Sequence, residues 1–127
     1  MADASLGGQR TGPSYRDLVA WQRAVELVVR VYRLTDTWPK KETYGLSSQA
    51  ERAASSVPAN IAEGQGLGTP KQFHHHLSIA YGSLCELETH LIVAQRLGYI
   101  DQVTLDDVIN QSSNVARPLF GLMRSLK

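Results

Sequence analysis

Three consecutive histidines, His74, His75 and His76, are the residues of this chain best suited in type to hold a metal ion. On a helix, two ligands converge on one ion when they are three or four apart, on the same face. The residues four beyond these histidines are Ser78, Ile79 and Ala80, so no histidine pair forms. The plainer reading is three polar positions pointing in three directions, and no metal or other cofactor is expected. Glu86 and His90 do stand four apart, but one such pair is a surface ion pair more often than a catalytic dyad. Ser55, Ser56, Ser112 and Ser113 lack a neighbouring base to activate them. Cys85 adjoins Glu86, whose charge disfavours the thiolate. Gly64, Gly66 and Gly68 follow no strand and precede no Gly-Lys-Ser/Thr, so they are not a phosphate loop. No catalytic site, and no small-molecule substrate, is expected.

Binding chemistry is better represented. Arg16, Arg23 and Arg30 recur at heptad spacing, which drifts only ~20° per repeat and so lines one edge of a helix. Arg33, Lys40 and Lys41 extend the positive charge beyond them. One reading is phosphate contact with a nucleic acid. The other is a solvated face partly neutralised by Glu26, four residues before Arg30. On the same helix, Leu18, Trp21, Val25, Val28 and Tyr32 form one apolar strip, and Ala20, Leu27, Val31 and Leu34 form another. A bundle helix needs an apolar arc a little over ~100° wide. The first strip is assigned to the core. The second, Ala20, Leu27, Val31 and Leu34, is assigned to a subunit interface, since exposed apolar stripes mark association.

The elements that must position these groups are helices. The first is expected over 15–36, with Ser14 and Asp17 as a capping pair. The second runs from 44 or 46 to 63, with Leu46, Ala50, Ala53, Val57 and Ile61 inward and a bend at Pro58. The third is opened by Thr69, Pro70 and Gln72 and stopped by Gly98. Its Phe73, Leu77, Ala80, Leu84, Leu87, Leu91 and Ala94 alternate steps of four and three, a seam of three heptads. The fourth starts at Thr104 and carries a second seam through Leu105, Val108, Ser112, Val115, Leu119, Leu122 and Leu126, bent at Pro118. Connections this short join antiparallel neighbours. The fold class is therefore all-α, an antiparallel up-down-up-down four-helix bundle over residues 14–127, preceded by a disordered tail over 1–13.

The bulk numbers agree with one such domain. The chain has 127 residues, 43% of them apolar, enough for a core without staples. Its net charge is +1, so any basic surface is local. The single cysteine allows no internal disulfide, which points to a reducing, cytoplasmic setting. No membrane span is expected, because no apolar run approaches ~20 residues, and no signal peptide, because the N-terminus lacks a charged start and an apolar core.

Beyond these readings, the segments YRDLVAWQRAVELVVRVY (15–32), WPKKETYGL (38–46), SQAERAASSVPANIAEG (48–64), SLCELETHL (83–91), LGYI (97–100) and GLMRSLK (121–127) stand out together. Through them the chain resembles the four-helix bundle family of 23S ribosomal RNA intervening-sequence proteins. The resemblance implies a bundle without established catalytic activity that assembles as a ring, commonly a homopentamer. A similar bundle, the accessory variability protein of diversity-generating retroelements, forms a basic pentamer that binds nucleic acid and a reverse transcriptase. RNA or a nucleic-acid enzyme is therefore the implied partner. The alternative is a homo-oligomeric protein–protein scaffold that touches no nucleic acid. Arg52, Asn60, Glu63, Glu86 and Glu88 match polar positions typical of the family and are read as a structural network.

Overall fold

The computed structural model describes residues 14–126. Met1 to Pro13, expected to be a disordered tail, and Lys127 lie outside the described residues. Four α-helices follow in order: α1 (Val19–Thr35), α2 (Leu46–Gly66), α3 (Pro70–Arg96) and α4 (Gln102–Ser125). Short 3-10 turns precede α1 (Tyr15–Asp17) and lie between α1 and α2 (Lys40–Glu42). Among the described residues there is no strand.

Local chemistry sets the ends. Ser14 and Asp17 form the expected capping box, but it closes the 3-10 turn, and α1 begins two residues later. Thr69 Oγ1 accepts from the Gln72 N–H and Pro70 takes the first turn of α3, where its missing N–H costs nothing. At the far end of α3, Gly98 adopts φ +83°, the left-handed conformation that favours glycine. The Tyr99 N–H then reaches back to the Ala94 carbonyl and the Gly98 N–H to that of Gln95. Asp101, not Thr104, caps α4: its carboxylate accepts from the Thr104 N–H at 2.7 Å. That bond holds the Asp101 carboxyl below its ordinary pKa. Both α2 and α4 continue as helix through Pro58 and Pro118.

Each helix packs on its neighbours in sequence, and α4 closes back onto α1. The contacts pair rising numbers on one helix with falling numbers on the next, the pattern of antiparallel neighbours. Across α2 and α3, Ser83 meets Ser56 and His76 meets Asn60. Across α3 and α4, Glu88 meets Ser112 and Tyr81 stacks on Phe120. Across α1 and α4, Arg23 meets Asn114 and Arg30 meets Asp107. The α3 seam from Leu77 to Ala94 is buried as expected, as are Leu105, Val108, Ser112, Val115 and Leu119 of α4. Buried Ser112 is tolerated because its hydroxyl donates to Glu88 at 2.6 Å.

Helix α1 corrects the expectation. Ala20, Leu27 and Val31 are 1%, 0% and 0% exposed within the single chain, so they belong to the core and have no surface left for a partner. Leu34 is half-buried and packs against that core. The strip assigned to the core is the outer one: Leu18, Trp21, Val25 and Val28 are half-buried and Tyr32 is exposed. Size decides the orientation. Ala20 and Ala24 let the flanking helices approach, whereas a Trp21 ring in their place would hold them apart.

Candidate functional site

The two faces that α1 leaves outside the core differ in chemistry. One looks along α2. There Trp21, Val25, Val28 and Val29 of α1 meet Pro58, Ala59 and Ala62 of α2 in an apolar groove. Tyr15 closes one end, its ring edge-on to Trp21 at 5.3 Å between centroids. The small α2 residues, with a proline whose missing N–H exposes no donor here, make a smooth wall that water solvates poorly.

The other face looks along α4 and is cationic. Arg23 Nη1 donates to the Asn114 carbonyl at 2.8 Å. Two turns on, Arg30 Nη1 donates to Asp107 at 2.8 Å and more weakly to Gln111. Arg33 lines the adjoining surface with Glu26, Val29 and Gln111. Arg117, from α4, joins Arg23, Glu26 and Asn114 and donates to the Asn114 side chain. Four guanidiniums set against Glu26 and Asp107 leave this edge positive.

The six basic residues singled out in the sequence therefore divide. Arg23, Arg30 and Arg33 come together. Arg16 sits on the 3-10 turn before α1, its guanidinium 5.7 Å from the Tyr15 ring centroid. Lys40 and Lys41 lie on the turn after α1, where Lys40 shares a cavity with Asp36 and Glu51 and does not prolong the row. Arg117 was missed. Its signal was the polar row Asp107, Gln111, Asn114, Arg117 on α4, spaced four, three and three, which marks one helix face.

Two of the histidines engage neighbouring polar side chains. His76 and Asn60 hydrogen bond at 3.0 Å, and Asn60 in turn donates to Ser56. His90 lies 3.3 Å from Glu86, the pairing their spacing implied. Among the described residues no group of three or more His, Cys, Asp or Glu side chains stands together as a metal site. Cys85 is exposed and hydrogen bonds with Tyr81, pushing that phenol's pKa up. Glu42 accepts from the Tyr99 hydroxyl at 2.8 Å and from the Leu46 N–H at 3.2 Å, so its carboxyl is held below the ordinary range and the Tyr99 phenol above.

Four helices, each packed on its neighbour in sequence and the last closing onto the first, define an all-helical bundle. Residues 16–121 match the family described as 23S rRNA-intervening sequence protein, and the chain belongs to that family. A crystal structure of a protein with unknown function from the S23 ribosomal protein family of Bacteroides thetaiotaomicron has a similar fold. It superposes with a TM-score of 0.76 at 24% identity, covering 83% of this chain and 98% of that one. No curated protein matches the chain. No helix among the described residues is long and apolar enough to cross a membrane.

Proposed function

We propose that this protein is a non-catalytic bundle that assembles into a cytoplasmic homo-oligomeric ring and serves as an accessory to RNA or to a nucleoprotein. One observation carries the reading: α1 presents an apolar groove on one side and an arginine edge on the other. The groove suits a second copy, because covering its apolar atoms releases water. The arginines suit phosphates, which guanidinium engages in a bidentate fork. A ring, the pentamer that the resemblance implies, repeats the edge around an axis, and avidity then multiplies weak individual contacts. Nothing on the edge is arranged for base readout, so binding is expected to tolerate sequence.

A protein scaffold without RNA is the second reading. It is favoured by the engagement of Arg23 and Arg30 with α4, which leaves those two less free for phosphate. Fluorescence anisotropy with labelled single-stranded and structured RNA separates the two. The RNA reading expects binding that falls with salt, the logarithmic slope giving ~0.7–0.9 per phosphate neutralised. Replacing Arg33 and Arg117 together by Glu should weaken it at least tenfold with helicity intact. No binding at tens of micromolar protein favours the scaffold.

A further inference from the structure

The surroundings of His76 fix which of its ring nitrogens carries the proton. Gly64 lets α3 come close to α2 here, since a Cβ on it would lie 2.6 Å from His76 Cβ. The His76 side chain is thereby set against α2, 15% exposed, with Nδ1 3.0 Å from Asn60 Oδ1. The orientation of the Asn60 amide follows from its other contacts. The Ser56 carbonyl oxygen lies 2.8 Å away and can only accept, so the amide NH2 faces Ser56 and the amide oxygen faces His76. Ser56 Oγ, which also accepts from the Ser83 hydroxyl, holds the same NH2 at 2.9 Å. The proton of the neutral imidazole therefore sits on His76 Nδ1, and Nε2 presents a lone pair. That nitrogen lies 3.9 Å from Glu63 Oε2, on a side chain 62% exposed. Neither atom accepts a hydrogen bond from another described residue.

Two acceptors, one of them charged, thus face each other across a gap that suits a cation. The Glu86–His90 pair differs: its Nε2 is 3.3 Å from the carboxylate, where an Nε2–H donates directly and the pair is satisfied by itself. A histidine whose Nδ1–H is held by a carbonyl oxygen while Nε2 turns toward a carboxylate has the orientation of a metal ligand with its outer hydrogen bond in place. Imidazole nitrogen with carboxylate oxygen suits zinc, cobalt or nickel, whereas calcium and magnesium prefer oxygen alone. Donors ~2.0–2.2 Å from a tetrahedral ion stand roughly 3.4 Å apart, so the exposed Glu63 side chain need move only about 0.5 Å. No group of three or more His, Cys, Asp or Glu stands together among the described residues, so water supplies the other ligands. We propose that His76 Nε2 and the Glu63 carboxylate bind one divalent ion of the zinc class, with water completing its coordination. Asn60 positions the imidazole without touching the ion. The site lies between α2 and α3 and stands whether or not RNA binds or a ring forms.

Long-range proton–nitrogen spectra of the full chain, which resolve the imidazole nitrogens, test this in slightly alkaline solution, where histidine is neutral and free to ligate. The probe is zinc chloride alone, and His76→Gln identifies the His76 signals. Before zinc is added, His76 should show a protonated Nδ1 and a bare Nε2. Zinc should then shift His76 Nε2 at lower concentration than it shifts His74, His75 or His90. Glu63→Gln, a change on an exposed side chain, should weaken the response at least tenfold, and His90→Gln should leave it unchanged. Asn60→Ala should weaken it about tenfold and let the Nε2-protonated form appear, with helical circular dichroism retained. A His76 protonated on Nε2 in the wild type overturns the proposal. So does a His76 signal that millimolar zinc leaves in place, which would mean that water bridges the two acceptors. Shifts of all four histidines together would mark adventitious surface binding and overturn it as well, as would an unchanged response in Glu63→Gln.

Discussion

Arg30 Nη1 and Asp107 Oδ2 lie 2.8 Å apart and tie α1 to α4 at the middle of the arginine edge. The side chains are 31% and 64% exposed, so the pair is screened by water and contributes little stability. Its consequence for binding is larger, because Asp107 both occupies a guanidinium and adds a negative charge where phosphates would approach. Asp107→Asn should change stability by less than ~1 kcal/mol, as expected for an exposed pair. It should also tighten RNA binding several-fold at low salt and steepen the salt dependence. Denaturant titration and anisotropy on one preparation measure both, and weaker binding would remove this edge as the RNA contact.

Two glycines offer a paired test of the α2–α3 packing. A Cβ on Gly64 would come within 2.6 Å of His76 Cβ and 3.3 Å of Phe73 Cα, so the helices would have to separate. Gly64→Ala should cost ~1–3 kcal/mol by overpacking. At Gly82, within α3, an added Cβ meets nothing within 4 Å. Gly82→Ala should stabilise by up to ~1 kcal/mol through helix propensity alone. Urea midpoints for the two variants should shift in opposite directions.

The Glu42–Tyr99 hydrogen bond links stability to pH. Glu42 has a lowered pKa when folded, so the unfolded chain binds its proton more readily. The stabilisation is complete above the ordinary glutamate pKa, ~4.3, and is lost as pH falls through the folded value. Tyr99 has a raised pKa, so its share is present below the ordinary phenol value, ~10, and is lost as pH rises through the folded one. Thermal melts of wild type and Glu42→Gln should differ most between these limits and converge at acid pH.

Much of this architecture is legible in the residues because α3 and α4 each turn a single apolar face inward. The seam Leu77, Ala80, Leu84, Leu87, Leu91 can be oriented in one way only, and it is buried accordingly. Leu84→Ala should cost ~2–5 kcal/mol, read from the urea midpoint. Helix α1 is apolar on two strips, and periodicity cannot choose between them. The choice rests on volume, with Ala20 and Ala24 inside and Trp21 at the rim, and volume is set by neighbours far away in sequence. Arg117 stayed hidden for a related reason: its place beside Arg23 depends on how α4 is registered against α1, which no pattern within either helix encodes. The polar pairs Ser83–Ser56 and His76–Asn60 likewise join residues on different helices. Glu86–His90, a pairing within one helix, could be read from spacing.

The account depends most on the groove between α1 and α2 being covered by another copy of the chain. Ala59 is exposed on the α2 wall of that groove, so Ala59→Glu adds a charge there without disturbing the core. Burying that charge unpaired in an interface is strongly unfavourable. Sedimentation velocity at tens of micromolar protein is the direct measurement. The wild type should sediment as one species larger than a dimer, and Ala59→Glu as smaller species with unchanged helical circular dichroism. A wild type that sediments as a monomer would contradict both the ring and the role given to α1.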